Sequence, residues 1–347
     1  MIFENKHIVV IGGTGSLGQM VVRRLLTGEM GRPATVTVFS RDEAKQQAMR
    51  LSYLKRRTAT DEVIYQNSQS LLKFRIGDVR DYPAIVQAIQ SADAVIYAAA
   101  LKQVPTCEYF PFEAIQTNVI GAVNVVRAIR ETQTSVKLVI GLSTDKACKP
   151  INVMGMTKAL QERVFIEANL DCPNVRFVCV RYGNVIASRG SVVPLFLDQI
   201  AHGGPLTITM KEMTRFLISL DQAVDTIFAA ARQAKAGETY IPRIPAARLI
   251  DLAEVLIAGR DIPIHYIGIR PGEKVHEILI SDEECYRTIE RDGYYVIRSM
   301  LPELQGEPLG QSVLTEEFSS AKVTLDKNGL RALLVPYLEN RFEETHL

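Results

Sequence analysis

The chain has 347 residues, of which 47% are hydrophobic and 23% charged, and its formal net charge is +1. That balance suits a folded enzyme with a sizeable core. It excludes a global field that would draw the chain onto nucleic acid or an anionic membrane, so any phosphate binding must be local.

The first half alternates apolar, β-rich runs with segments of helical period. Strands are expected at residues 8–11, 35–39, 72–76, 94–97, 136–142 and 176–180. Helices are expected near 17–26, 43–50, 84–90, 112–130 and 154–167. Runs that are apolar on both faces imply strands covered by helices on both sides. The expected fold is therefore α/β, a Rossmann-like doubly wound parallel sheet. After Asn184 the rhythm changes, with loop signals at 188–191 and 203–205, a short strand at 206–209, and helices at 223–234, 249–258 and 327–338. Arg270–Lys274 reads as a turn or a helix start. The expected division is residues 1–184 plus about 215–260 as a dinucleotide-binding domain. About 185–214 plus 261–347 form a smaller α/β substrate domain and C-terminal extension.

Behind the first strand, Gly12, Gly15 and Gly18 fall in a run completed by Thr14, Ser16 and Leu17. Missing side chains let backbone N–H groups approach a pyrophosphate at a helix N-terminus. The second strand ends in Ser40-Arg41, with Lys45 close behind, where an acidic residue would select NAD. Two cations suit a 2′-phosphate, so NADP is expected over NAD. Asp78 and Val79 follow the third strand, and Asp78 suits the adenine amino group. Ala98, Ala99 and Ala100 end the fourth strand and let a cofactor lie against the backbone, with Lys102 close by.

The fifth strand ends in Thr144-Asp145-Lys146, at the sheet edge where such folds bind ligands. Met154 and Lys158 are four apart on one helical face. Nicotinamide enzymes built this way carry a tyrosine at the first position, as the base for a substrate hydroxyl. A methionine sulfur has no proton to exchange.

Five cysteines, without CxxC or Cys/His ligand spacing, are expected as free thiols with no metal site. No apolar run reaches the roughly 18–20 residues of a spanning helix, and no signal-peptide core is visible. A cytoplasmic protein without membrane insertion or nucleic-acid partner is expected.

With these segments in hand the chain resembles the extended short-chain dehydrogenase/reductases. Within them it is most similar to the UDP-N-acetylglucosamine 4,6-dehydratases of polysaccharide biosynthesis. The resemblance is carried by GGTGSLG at 12–18, SRDEAK at 40–45, GDVRD at 77–81, AAALKQVP at 98–105 and TNVIGA at 117–122. It continues with LSTDKA at 142–147, MGMTK at 154–158, RYGNV at 181–185, SRGSVVP at 188–194, MTRF at 213–216 and RPGEKVHE at 270–277.

The resemblance implies a lyase with an internal redox cycle: hydride leaves sugar C4 for NADP, water is lost across C5 and C6, and the hydride returns to C6. It implies Lys146 as the C5 base, Asp145 as the acid for the C6 hydroxyl, Thr144 at the C4 oxygen and Lys158 at the nicotinamide ribose. As a base, Lys146 is expected to have a pKa lowered towards neutrality. Asn184, Val185, Arg189, Arg215, Arg270 and Glu273 match positions that contact cofactor or UDP-sugar, and a homo-oligomer is implied. A branch of that family carries methionine at the position of Met154, which leaves the C4 hydroxyl without its usual base. Asp145, acting through Thr144 or a water, is the expected substitute. Two other readings are a UDP-sugar 4-epimerase and a catalytically silent NADP-binding regulatory protein.

Overall fold

Ile8 and Val10 pack on one side of a sheet, and Val9 and Ile11 on the other. That alternation is the period of two of a strand buried on both faces. It recurs through the computed structural model, which describes residues 1–54, 71–186, 188, 190–306 and 312–344.

The strands of the first half are β1 (His7–Ile11), β2 (Thr35–Ser40), β3 (Leu72–Ile76), β4 (Ala94–Tyr97), β5 (Leu138–Thr144) and β6 (Arg176–Tyr182). Between them run α1 (Ser16–Leu26), α2 (Glu43–Leu54), α3 (Tyr82–Ile89), α4 (Val104–Tyr109), α5 (Pro111–Ala114), α6 (Gly121–Glu131) and α7 (Val153–Asp171). All six strands are parallel, in the order β3-β2-β1-β4-β5-β6. The order reverses between β1 and β4, which opens a crevice at their carboxyl ends. The β5–β6 register runs from Leu138 opposite Arg176 to Thr144 opposite Tyr182, so Thr144 sits at that same edge.

The helix expected over 112–130 is divided. Between α5 and α6 lies a π-helical segment, Ile115–Ile120. The wider turn places Asn118, fully buried, where its amide donates to the Leu101 carbonyl (3.0 Å) and to Thr157 Oγ1 (2.9 Å) and its carbonyl accepts from Leu101 N (2.8 Å). The π turn thus pins the loop after β4 to the helix that carries Met154 and Lys158.

The second half supplies β7 (Asn184–Val185), α8 (Val192–Ala201), β8 (Leu206–Ile208), β9 (Thr214–Ile218), α9 (Leu220–Gln233), β10 (Thr239–Pro242), β11 (Ala246–Arg248) and α10 (Leu249–Ile257). It ends with β12 (Ile264–Tyr266), β13 (Ile278–Ile280), α11 (Asp282–Cys285), β14 (Thr288–Arg291), β15 (Tyr294–Ile297), β16 (Phe318–Ser319) and α12 (Lys327–Glu344). Small sheets β11-β9-β7 and β8-β12 form a second lobe over a core including Phe196, Leu252, Leu330 and Leu334.

The expected parallel sheet is present and extends beyond these six strands. The main sheet is not purely parallel: β10 joins it beside β6, and β15 and β14 follow antiparallel. Residues 288–297, assigned from sequence to the second domain, therefore extend the first. The hairpin turns on Asp292 and Gly293, both with positive φ (48° and 80°), as a two-residue strand connection requires. It covers the edge of β10 that would otherwise be left open.

Candidate active site

The glycine loop leaves β1 at Gly12, whose φ is +81°. A Cβ there would lie 2.7 Å from Ala99 N, and one at Gly18 would lie 2.6 Å from the Gly12 carbonyl. Bare backbone is therefore packed against Ala98 and Ala99, and α1 begins immediately beyond. This cradle fits the pyrophosphate of a dinucleotide, with backbone N–H groups as donors. At the end of β2, Ser40 is buried and its hydroxyl accepts from Gln46 (3.1 Å). Lys45 pairs with Asp42 at 2.5 Å, and the exposed Arg41 guanidinium stands 3.9 Å from Asp78. Asp78 also takes Arg80 Nη2 at 2.8 Å. Partial burial would raise the Asp78 carboxyl, but Arg80 holds it below its ordinary range.

From this loop one continuous cavity of about 840 Å³ runs past the end of β5 to Arg215 and Arg270. It is lined by every residue singled out from sequence except two. Asp145 lies beneath the floor, fully buried, and Arg189 falls outside the described residues. Gly272, with a positive φ of 77°, makes Arg270–Lys274 a turn.

At the end of β5 the groups are in contact. Thr144 Oγ1 donates to Asp145 Oδ1 (2.9 Å), and Lys146 Nζ donates to the same oxygen (3.0 Å). On its other side Lys146 Nζ meets Glu277 Oε1 at 3.1 Å, and Arg215 Nε is 3.9 Å from that oxygen. Asp145 Oδ2 and Glu277 Oε2 are buried and have no hydrogen-bond partner among the described residues.

Burial pushes the Asp145 carboxyl up, only partly opposed by Lys146. The expected lowering of Lys146 is not found. Burial does act to lower it, but Asp145 and Glu277 outweigh burial and raise it above the ordinary lysine value. A charge between two carboxylates is stabilised by both. Lys158 behaves oppositely, brought down by burial to about 8. Its ammonium donates to the Leu142 carbonyl (2.5 Å) and to Gln161 (2.6 Å), below the cavity floor it helps to line.

Met154 is buried in a small apolar cluster with Cys107 and Ala114. Its helix is capped by Asn152, which accepts from Gly155 N (2.7 Å) and donates to the Gly272 carbonyl (2.7 Å). A Cβ on Gly155 would overlap the Lys146 carbonyl, so the Asp145–Ala147 turn rests directly on α7.

Sequence reasoning missed Glu277 and Arg181. Glu277 closes the RPGEKVHE run and reads there as a solvated polar residue, yet it is 2% exposed. Arg181 opens the RYGNV run. It grips Glu162 on α7 (3.0 and 2.7 Å) and Glu284 on α11 (2.8 and 3.0 Å), and donates to the Leu279 carbonyl of β13 (2.9 Å).

Among curated proteins, a Rickettsia typhi protein named UDP-glucose 4-epimerase is 45% identical over 300 residues, covering 85% of this chain and 83% of the relative. Among solved structures, Pen from Bacillus thuringiensis superposes with a TM-score of 0.86 at 34% identity, over 97% of this chain and 99% of the other. A dTDP-glucose 4,6-dehydratase from Streptomyces venezuelae, solved with NAD and TYD bound, superposes at 0.64 with 20% identity, over 78% and 86%. That similarity speaks to the fold. A family model described as polysaccharide biosynthesis protein matches residues 8–299. The chain thus belongs to the polysaccharide biosynthesis protein family and has the fold of the extended short-chain dehydrogenase/reductases that modify nucleotide sugars.

Proposed function

We propose that this protein is an NADP-dependent 4,6-dehydratase of UDP-N-acetylglucosamine, yielding UDP-2-acetamido-2,6-dideoxy-4-hexulose. The observation that carries this reading is the hydrogen-bonded Thr144–Asp145–Lys146 group at the cavity floor, beside a helix with methionine at position 154. Bound at the glycine loop, a nicotinamide dinucleotide supplies reversible hydride chemistry to the sugar. The chain's own residues then have to manage protons at three sugar atoms.

Because Thr144 already donates to Asp145, its oxygen can accept from the C4 hydroxyl while its own proton passes to Asp145 Oδ1. Burial favours the protonated acid, so Asp145 can hold that proton. The same hydroxyl returns it towards the C6 oxygen as water leaves. Lys146 takes the proton from C5, which the neighbouring ketone acidifies. Arg270, and Arg215 beside Glu277, suit a diphosphate, and Asn184 and Glu273 line the same cavity. Residues 1–184 and about 215–260 would hold the cofactor, and the second lobe the UDP-sugar.

A 4-epimerase is the second reading, favoured by the name of the R. typhi relative. It would employ the C4 relay but leave a C5 base with no task. The two separate in deuterated water. With UDP-N-acetylglucosamine, dehydration gives a C6 methyl signal by NMR and deuterium at C5. A C4 epimer with no C5 exchange would overturn the dehydratase reading.

The cofactor preference has its own test. A charge-assisted hydrogen bond is worth about 1.5–3 kcal/mol when shielded. Arg41 is exposed, so the lower end applies. Arg41→Ala is expected to weaken NADPH binding about tenfold and leave NADH unchanged, read by fluorescence titration. Equal losses for both would remove Arg41 from 2′-phosphate recognition.

A further inference from the structure

The raised pKa of Lys146 leaves a problem: an ammonium has no lone pair with which to take a proton from C5. We propose that Glu277 is the group that frees it, by accepting the Lys146 proton at Oε1 before the C5 step and returning it afterwards. This inference rests on the dehydratase reading above.

The geometry is that of a direct transfer. Glu277 Oε1 is 3.1 Å from Lys146 Nζ, and no water need intervene. The N–H bond of Lys146 breaks, the O–H bond of Glu277 forms, and a buried ion pair becomes a neutral amine beside a neutral acid. Exclusion of water narrows the gap between those two states, because burial penalises the charged pair. Glu277 is nearly inaccessible; burial acts to raise its carboxyl, but Lys146 and Arg215 outweigh burial and lower it, so the resting group is a carboxylate with a free site for a proton.

The surroundings provide the timing. Lys146 faces Asp145 on its own turn and Glu277 from the strand-like segment before β13. Arg215 on β9 and Lys274 on the RPGEK turn also act on this pair, while His276 is turned away to Thr214 Oγ1. Once Asp145 has taken the C4 proton, one of the two carboxylates stabilising the Lys146 charge is neutral. Arg215 acts against the Lys146 charge, although Arg215 and Lys274 also lower the Glu277 carboxyl. The ammonium is least favoured at the moment its proton must go.

Glu277 is also held in place from the end of the chain. Its backbone N–H donates to Ser320 Oγ (2.9 Å), and its carbonyl accepts from Ser320 N (2.9 Å). Ser320 Oγ in turn contacts Thr214 Oγ1 at 2.6 Å, one residue before Arg215. Strand β16 beside β13 extends this contact. The C-terminal segment is thereby built into the site and fixes where Glu277 points.

Glu277 acts through Lys146, so it is a positioning and proton-holding residue. The test isolates its step. The 4-keto-6-deoxy UDP-sugar exchanges its C5 hydrogen without any hydride transfer. Wild-type protein and Glu277→Gln are incubated with it in deuterated water, and C5 deuteration is followed by NMR from pH 6 to about 10.

If Glu277 holds the proton, E277Q exchanges about 100-fold more slowly near neutral pH, and its rate climbs with pH as Lys146 titrates alone. If Glu277 merely adds negative charge, removing it lowers the Lys146 pKa and exchange becomes faster. Exchange within about threefold of wild type, or faster, overturns the proposal. Glu277→Asp, which keeps the carboxylate, is expected to recover part of the rate. UDP binding by calorimetry and the thermal unfolding midpoint of each variant identify a folding defect. Wild type that makes no C6 methyl from UDP-N-acetylglucosamine, yet exchanges C5 of the ketone, sinks the dehydratase reading alone.

Discussion

Asp145→Asn is expected to abolish the first redox event: adding UDP-N-acetylglucosamine to the NADP-loaded variant gives no absorbance of bound NADPH. The asparagine keeps the shape of the carboxylate, and its Oδ1 can still accept from Thr144. It cannot take up a proton, so the relay from the C4 hydroxyl has no terminus. In the proposed dehydration the same residue would be used again at C6. A single acid–base group is typically worth about 10²–10⁴-fold, and double use places the loss of turnover at about 10⁴-fold or more. Substrate affinity is expected to hold, because Asp145 lies beneath the cavity and reaches the sugar only through Thr144 and Lys146. Lys146 keeps Glu277 as its partner, so the turn is not left with an orphaned ammonium. A rise in NADPH absorbance on mixing, at a rate near wild type, would show that another group takes the C4 proton. It would also leave Met154 without the compensation proposed for it.

Which parts of the site were legible follows from what makes each part local. The glycine loop is a feature of about seven adjacent residues, and strand β1 before it is recognisable from its own apolar run. Thr144, Asp145 and Lys146 are consecutive, and Met154 and Lys158 share a helix face by spacing alone. The fold brings Thr144, Lys146, Met154 and Lys158 into the lining of one cavity. Glu277 was opaque because its importance comes from burial, and its burial comes from Ser320 and the β13–β16 pairing. Its neighbours Glu273 and Lys274 in sequence are the ordinary makings of a solvated turn.

The sign of the Lys146 shift failed for the same reason. Two opposing effects compete, desolvation against neighbouring carboxylates, and the second could not be counted before Glu277 was found. The antiparallel end of the main sheet is a different case. Asp292-Gly293 between alternating apolar residues is a strong local hairpin signal, so that information was present in the sequence. Strand β10 was harder, being four residues long and ending in Pro242.

Arg181→Met is expected to produce the largest loss of stability of any substitution in the site's surroundings. Arg181 joins two buried carboxylates, Glu162 and Glu284, and Arg287 stands farther off at 3.6 Å from Glu284. Removing one partner of a buried pair typically costs about 3–5 kcal/mol, because the remaining charge is left unsolvated. Here Glu162 loses both paired donors and Glu284 is left with the more distant Arg287 at 3.6 Å, against a whole-domain stability of about 5–15 kcal/mol. The measurement is the urea midpoint at constant m-value, and its pH dependence carries the diagnosis.

Burial alone would raise the Glu284 carboxyl, but Arg181 overrides it and holds it at about 2, below its ordinary 4.5. A depressed carboxyl contributes stability that is complete above pH 4.5 and is lost as pH falls towards 2. Without Arg181, the Ser281 N–H and Arg287 still oppose burial, but the depression of the Glu284 carboxyl shrinks. The variant should then lose less stability than wild type as pH falls from 4.5 towards 2. Adding Glu162→Gln and Glu284→Gln to Arg181→Met should restore much of the midpoint, since neither buried charge remains. An unchanged midpoint, or a wild-type pH slope in Arg181→Met, would mean that the network contributes nothing net.

The clamp also bears on catalysis. Arg181 ties α7, which carries Met154 and Lys158, to β13, which begins one residue after Glu277. Loosening it should separate Glu277 from Lys146 before it disturbs the glycine loop on the far side of the sheet. Arg181→Lys, which keeps a charge but loses the paired donors, is therefore expected to slow C5 exchange more than it weakens NADPH binding.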